Sequence, residues 1–159
     1  MSSVDVTPQP SAAWRQLYLT YATLFKAIER AIAPTGATLP QALALATIKA
    51  GPWPITPSRL AHYLTQETQS VTGLIDRMEK QGWVRRVRDL PDRRAIRLEL
   101  TEAGEAKLAE TIGPSTTTEA RLFELLSPDE LQSLSNLLER IYQGAISHIG
   151  MEALQPTES

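Results

Sequence analysis

Between residues 11 and 33, Trp14, Leu17, Tyr21, Leu24, Ile28 and Ala31 recur at alternating spacings of three and four, one stripe of a helix. Pro34 and Gly36 stop it. A second helix fits Pro40 to Ala50, apolar nearly all round and so expected to be buried. The Gly51-Pro52-Trp53-Pro54 run then forces a turn. Thr56 or Ser58 can cap a short helix with Pro57 in its first turn, running to about Leu64. After a turn at residues 65–68, a further helix over Thr68 to Gln81 sets Val71, Leu74, Ile75 and Met78 on one face, and Gly82 is placed to end it.

The period then changes. Trp83 to Val87 and Ala95 to Leu100 are short runs rich in Val, Ile and Leu, separated by Asp89, Leu90, Pro91 and Asp92, whose Pro and Asp supply turn chemistry. This is the pattern of a β-hairpin. Thr101 can cap a helix beginning at Glu102, which Gly113-Pro114 is expected to kink or break before it resumes towards Leu126. Ser127, Pro128 and Glu130 form a start signal for a last helix with Leu131, Leu134, Leu138, Ile141 and Ala145 on one stripe. Residues 1–10 read as a loose tail and residues 151–159 as a frayed one. No internal repeat is present.

Two helices around a short turn, followed by a basic hairpin, give the order of a winged helix-turn-helix. The fold class expected is therefore mainly α with a small β-hairpin wing. Residues 37–104 would form the lobe, with helical segments at 11–36 and 105–150 on either side.

Composition narrows the classes. At 159 residues there is room for one domain with a core, and 42% hydrophobic with 21% charged residues is ordinary for a globular chain. The absence of cysteine removes disulfides, thiol chemistry and zinc fingers together. No apolar run approaches a membrane span, and the first residues carry no basic head followed by an apolar segment, so a cytoplasmic address without membrane partners is expected. Net charge is −2, unevenly spread. Residues 1–55 hold 4 basic and 2 acidic side chains, residues 56–100 hold 9 and 6, and residues 101–159 hold 3 and 10. The middle is locally basic, which suits phosphate on one face.

The candidate chemistry lies in that middle. Six arginines decorate the hairpin: Arg85, Arg86, Arg88, Arg93, Arg94 and Arg97. They either form a solvated surface or probe a phosphate-lined groove. The helix before them opens with Thr68, Gln69, Ser70, Thr72 and Gly73, short hydrogen-bonding groups and a glycine where close approach helps. Gln pairs bidentately with adenine, and Ser and Thr reach base edges or phosphates. Asp76, Arg77, Glu79 and Lys80 follow along the polar side.

The stretch from Ser58 to Gly104 resembles the DNA-binding lobe of the MarR family of bacterial regulators. Its most specific piece is Asp92-Arg93-Arg94, five residues, then Leu100-Thr101 and Gly104. This is similar to the family's wing signature of Asp, Arg, a short strand and Leu-Thr-x-x-Gly opening a helix. The resemblance implies a homodimer whose N-terminal and last two helices interlock to pair two winged lobes, and a small-molecule effector that releases double-stranded DNA. It implies a wing made by Arg88, Arg93 and Arg94, with Arg94 reaching into the minor groove, where negative potential attracts arginine. Asp92 would brace a neighbouring arginine, and Arg93 would be either its partner or a phosphate contact. Arg77 would lie near DNA backbone or domain contacts. One departure stands out: family members often have Gly and then an apolar residue where this chain has Thr65 and Gln66.

The long apolar stripes of the first and last helices either pack onto the lobe within one chain or pair two copies; the dimer is the favoured reading, and its two-fold symmetry implies a pseudo-palindromic operator with half-sites about one helical turn apart. Trp14, Tyr18, Tyr21 and Phe25, with Trp53 and Tyr63, either line an effector pocket or serve as core and interface aromatics. His62 and His148 have no carboxylate spacing that would make a metal site, and no cofactor is expected. Catalysis lacks a nucleophile, a phosphate-cradling loop and paired carboxylates. The alternative is a winged helix used as a protein-interaction module without direct DNA readout. It would leave Gln69, Arg93 and Arg94 without a job and would call for apolar exposure on the second helix of the lobe.

Overall fold

The computed structural model describes residues 9–92 and 95–150. Six helices and one hairpin follow in the order α1 (Pro10–Ile32), α2 (Leu39–Ala50), α3 (Pro57–Tyr63), α4 (Thr68–Lys80), β1 (Val84–Val87), β2 (Arg97–Leu100), α5 (Glu102–Phe123) and α6 (Pro128–Ile149). A short 3-10 turn, Ala33–Thr35, closes α1.

Capping residues set the boundaries. Thr38 and Gln41 form a reciprocal capping box at α2, with the Thr38 N–H donating to Gln41 Oε1 at 2.9 Å. Thr56 Oγ1 accepts from the Arg59 N–H and fixes the start of α3. Thr101 Oγ1 accepts from the Gly104 N–H at 3.0 Å and opens α5. Ser127 and Glu130 form a second capping box at α6, as their spacing predicts. The backbone hydrogen bond given by Ser127 holds the Glu130 carboxyl below its ordinary range.

The expected break at Gly113-Pro114 does not occur; α5 is one helix of 22 residues. Pro114 removes a single N–H from the ladder. Around it, hydroxyls of Ser115, Thr116 and Thr118 donate back to carbonyls of Ile112, Gly113 and Pro114, and the flanking turns carry the helix through.

The core lies where α2, α3, α4, the hairpin and the start of α5 meet. Leu45, Leu60, Val71, Ile75 and Met78 are fully buried there, with Val84, Leu98 and Leu108. β1 and β2 pair antiparallel, Val84 opposite Leu100 and Val87 opposite Arg97. The Leu98 N–H also donates to the Ile55 carbonyl at 2.8 Å, which pins β2 to the segment before α3. α2 is less enclosed than its composition suggests. Leu39, Gln41, Ala42, Ala44 and Leu45 are buried, but Leu43 faces outward. Gln41 reaches Gln81 Oε1 at 2.8 Å and so ties α2 to the end of α4.

Outside the lobe the pattern reverses. α1 packs against α5, yet Trp14, Tyr18, Leu19 and Tyr21 are exposed. α6 makes few contacts with the rest of its chain, and Leu125, Leu137, Leu138 and Ile141 stand in solvent. Among the described residues no single helix is long and apolar enough to cross a membrane.

Candidate nucleic-acid interface

α4 sits on the lobe with Val71, Leu74, Ile75 and Met78 turned inward, which the i, i+3, i+4, i+7 spacing requires. The opposite face is therefore polar and open. Thr68, Gln69, Ser70, Thr72 and Arg77 are exposed, and Gly73 is half-buried. The cap position is held by Glu67, with no side-chain cap bond, so Thr68 is the first helical residue rather than the cap. The side chains of Thr68, Gln69 and Ser70 have no hydrogen-bond partner among the described residues, while the Thr72 hydroxyl donates to the Thr68 carbonyl at 2.9 Å. Thr72 thus offers its methyl and lone pairs outward rather than a free donor. Arg77 makes no ion pair among the described residues. The first turn of α4 presents unsatisfied polar groups, the helix N-terminus behind them, and no apolar patch.

Of the described hairpin arginines, Arg85, Arg86 and Arg97 are held in ion pairs within the chain, and Arg88 is not. Arg97 is buried, 8% exposed, and clamped by Asp89, with Nε to Oδ1 at 2.7 Å and Nη2 to Oδ2 at 2.6 Å. Its Nη1 donates to Glu99 at 2.5 Å, and its guanidinium lies 4.5 Å from the Trp53 ring centroid. Those hydrogen bonds hold Arg97 above its ordinary pKa and, in return, hold the Asp89 carboxyl below its own. Arg85 donates to Glu99 at 2.5 Å, and Arg85 first, then Arg97, keeps the Glu99 carboxyl low.

Arg86 points back to α4 and donates to Asp76 Oδ1 at 2.6 Å and to Glu79 Oε2. Its partial burial disfavours the charge, but the two carboxylates outweigh that and raise its pKa. The sequence reading missed this pair of bridges. It has two consequences: the wing is fastened to α4, and one guanidinium partly offsets two α4 carboxylates that would repel phosphate. Of the predicted wing residues, Arg88 is exposed and makes no ion pair among the described residues, and Asp92 is exposed. Arg93 and Arg94 lie outside the described residues.

The predicted aromatic pocket separates into parts. Tyr21, Phe25 and Tyr63 come together with Leu43 and Thr47 around a groove of about 550 Å3 between α1 and the lobe, and Thr65 and Gln66 complete its wall. The Tyr21 and Phe25 rings pack 5.9 Å apart. Trp14 and Tyr18 lie outside that lining, exposed on α1. Trp53 does not join it either, because its ring is taken by Arg97 and it lines a separate cleft with Lys49 and Glu105. Among the described residues no cluster of His, Cys, Asp or Glu could hold a metal ion.

A buried three-helix lobe, an open polar helix and a paired hairpin bound to it define a winged helix-turn-helix protein. Residues 35–95 match the sequence profile of the MarR family. The chain is 33% identical over 104 residues to the transcriptional repressor MprA of Escherichia coli, an alignment covering 63% of this chain and 59% of MprA. The chain thus spans about three-fifths of the length of that curated relative. Its fold is similar to AbsC, a MarR family transcriptional regulator from Streptomyces coelicolor, with TM-score 0.80, 25% identity, and coverage of 91% of this chain and 99% of that one. It is also similar to a mutant MarR from Escherichia coli complexed with operator DNA, with TM-score 0.73, 24% identity and coverage of 80% and 91%.

Proposed function

We propose that this chain is a sequence-specific, double-stranded-DNA-binding transcriptional regulator, a ligand-responsive repressor acting as a homodimer on a pseudo-palindromic operator. The observation that carries the reading is the first turn of α4. Thr68, Gln69 and Ser70 stand exposed and unsatisfied, and the α4 carboxylates Asp76 and Glu79 are partly offset by Arg86. Such groups suit base edges in a major groove, while Arg77, Lys80 and the wing arginines Arg88, Arg93 and Arg94 suit phosphates and the minor groove, with Asp92 bracing the wing. The resemblance to a MarR structure with operator DNA and to a relative named a repressor supports the same reading.

Homodimerisation is supported by apolar exposure concentrated on α1, α6 and the turn before α6, where Trp14 is 69%, Ile141 56% and Leu125 87% exposed. In this reading residues 11–36 and 105–150 pair two copies, residues 37–104 read DNA, and two-fold symmetry dictates the operator. The groove at Tyr21, Phe25 and Tyr63 is the effector site. The interaction-module reading finds little support, because the apolar face of α4 is wholly buried.

Selection of bound fragments from the source genome, followed by gel-shift titration across salt, tests the proposal. Affinity that falls steeply as salt rises, with a ranking among fragments, is expected. Failure to bind any genomic fragment in dilute buffer would overturn it.

A further inference from the structure

We propose that Thr65 is a positioning residue that couples the groove to α4; this rests on the reading that α4 meets DNA and that the groove takes a ligand. The argument starts from two helix ends built alike. At the end of α4, the Gly82 N–H donates to Glu79 at 3.0 Å and the Trp83 N–H to Met78 at 2.9 Å, with Gly82 at φ 75°. At the end of α3, the Thr65 N–H donates to His62 at 3.0 Å and the Gln66 N–H to Ala61 at 3.0 Å, with Thr65 at φ 52°. Both are the paired six-to-one and five-to-two closure whose left-handed residue is ordinarily glycine. α4 obeys that rule and α3 does not. Thr65 is the one non-glycine residue at positive φ among those described, and a branched Cβ is the least suited to that region.

The turn is therefore held against its own preference, by its two backbone hydrogen bonds and by the packing of the helices on either side. Relaxation of Thr65 to negative φ would swing the chain three residues before α4 begins, so the left-handed and relaxed forms aim α4 differently. Thr65 and Gln66 also line the groove, facing Tyr21, Phe25 and Leu43. An occupant touches the strained residue directly and has different contacts with the two turn geometries, which is what shifting a population requires. Among the described lining residues none is charged, while three aromatic rings, two threonines and a glutamine are present. The occupant is an uncharged aromatic compound carrying a hydrogen-bonding group.

The test uses the full-length chain, its Thr65→Gly and Thr65→Asn variants, and the neutral aromatic probe N-phenyl-1-naphthylamine. Hydrogen exchange of peptides spanning residues 61–70 is followed with and without probe, in the absence of DNA. Glycine is expected to slow exchange of the turn by about fivefold, and asparagine, which tolerates the left-handed region, by less. The probe is expected to protect residues 21–25 and to change exchange of the turn in the original chain, and that second effect vanishes in Thr65→Gly. The proposal is overturned by a Gly variant whose turn exchanges at the original rate, by a probe that does not bind the groove, or by one that binds it and leaves the turn unmoved. Gel shifts run in parallel separate the two readings. Loss of operator binding by the original chain with the exchange results intact sinks the DNA reading and supports the coupling; normal binding with an unmoved turn does the reverse.

Discussion

Replacing Gly104 by alanine sets two effects against each other, and the structure decides between them. Gly104 lies in the first turn of α5, where helix propensity alone favours alanine by about 0.8–1.0 kcal/mol. A Cβ at this position, however, would fall 1.9 Å from the Trp83 carbonyl oxygen and 2.9 Å from its carbon. The closest comfortable carbon–oxygen approach is roughly 3.3 Å, so the two must part by more than an ångström. The carbonyl is not free to retreat. It accepts the Thr101 N–H at 3.1 Å, and the Thr101 hydroxyl holds the neighbouring Gly82 carbonyl. Relief has to come from displacing α5 against β1, an overpacking cost of about 1–3 kcal/mol or more.

The clash wins, and Gly104→Ala should destabilise by roughly 2 kcal/mol, lowering the thermal midpoint by about 4–8 °C. Circular dichroism melts at fixed protein concentration measure this; the concentration matters if the chain dimerises. An unchanged or raised midpoint would refute the steric account and leave the glycine of the Leu-Thr-x-x-Gly run without a physical reason.

Gly73→Ala should behave oppositely, because its Cβ meets nothing closer than the Arg77 Nη1 at 3.6 Å. Stability should rise by about 0.5–1 kcal/mol while operator affinity falls, and a variant that gains both would mean that no base or phosphate approaches there. Gln69→Ala should reduce discrimination between operator and altered-base fragments by about 1–3 kcal/mol; equal losses on specific and random DNA would show that Gln69 only positions the backbone. Arg88→Ala and Arg94→Ala should each lower the slope of log affinity against log salt by about 0.9 without moving the melt, and an unchanged slope removes that arginine from the contacts. Asp89 and Glu99 have carboxyl pKa values held below the ordinary range by arginine, so the stability they add is present above the unfolded value, near pH 4, and is lost as pH falls through the lower folded value. The difference in thermal midpoint between the chain and Asp89→Asn should stay constant from pH 8 to 5 and shrink below about 4; a difference that disappears by pH 6 would show that the Arg97 clamp is not its source.

Much of the fold could be read from the sequence because its signals are local. The caps at Thr56, Thr101 and Ser127 act within three residues, and the stripe on α4 needs only the helical period to identify its buried face. Signals that depend on distant partners were not readable in this way. Arg97 and Arg85 look identical in sequence, yet hairpin register carries Arg97 beside Asp89 and Trp53 and leaves Arg85 at the surface. β2 buries Arg97 and Leu98 in succession, so the alternation expected of a strand fails at the residue in question. Trp53 looks like the groove aromatics for the same reason, since nothing adjacent to it in sequence reveals the guanidinium over its ring. At Gly113-Pro114 the local signal allows a kink or a break, and the break does not occur. A strong local breaker yielded to helical turns on both sides, supported by hydroxyls whose backbone bonds do not show as periodicity.

These bridges also change how the charge of the middle segment should be weighed. The 9 basic and 6 acidic side chains between residues 56 and 100 make that segment locally basic. Yet Arg85, Arg86 and Arg97 are paired with Asp76, Glu79, Asp89 and Glu99 within the chain. In the proposed reading three arginines are withheld from DNA, and the four carboxylates that would repel it are offset to a net charge of −1, +3 against −4. The pull on phosphate then falls, in that reading and among the described residues, to Arg77, Lys80 and Arg88, beside a first turn of α4 that carries no charged side chain. Under that proposal the interface would draw modest affinity from phosphate and leave a larger share of its selectivity to Thr68, Gln69 and Ser70, whose uncharged groups suit base edges.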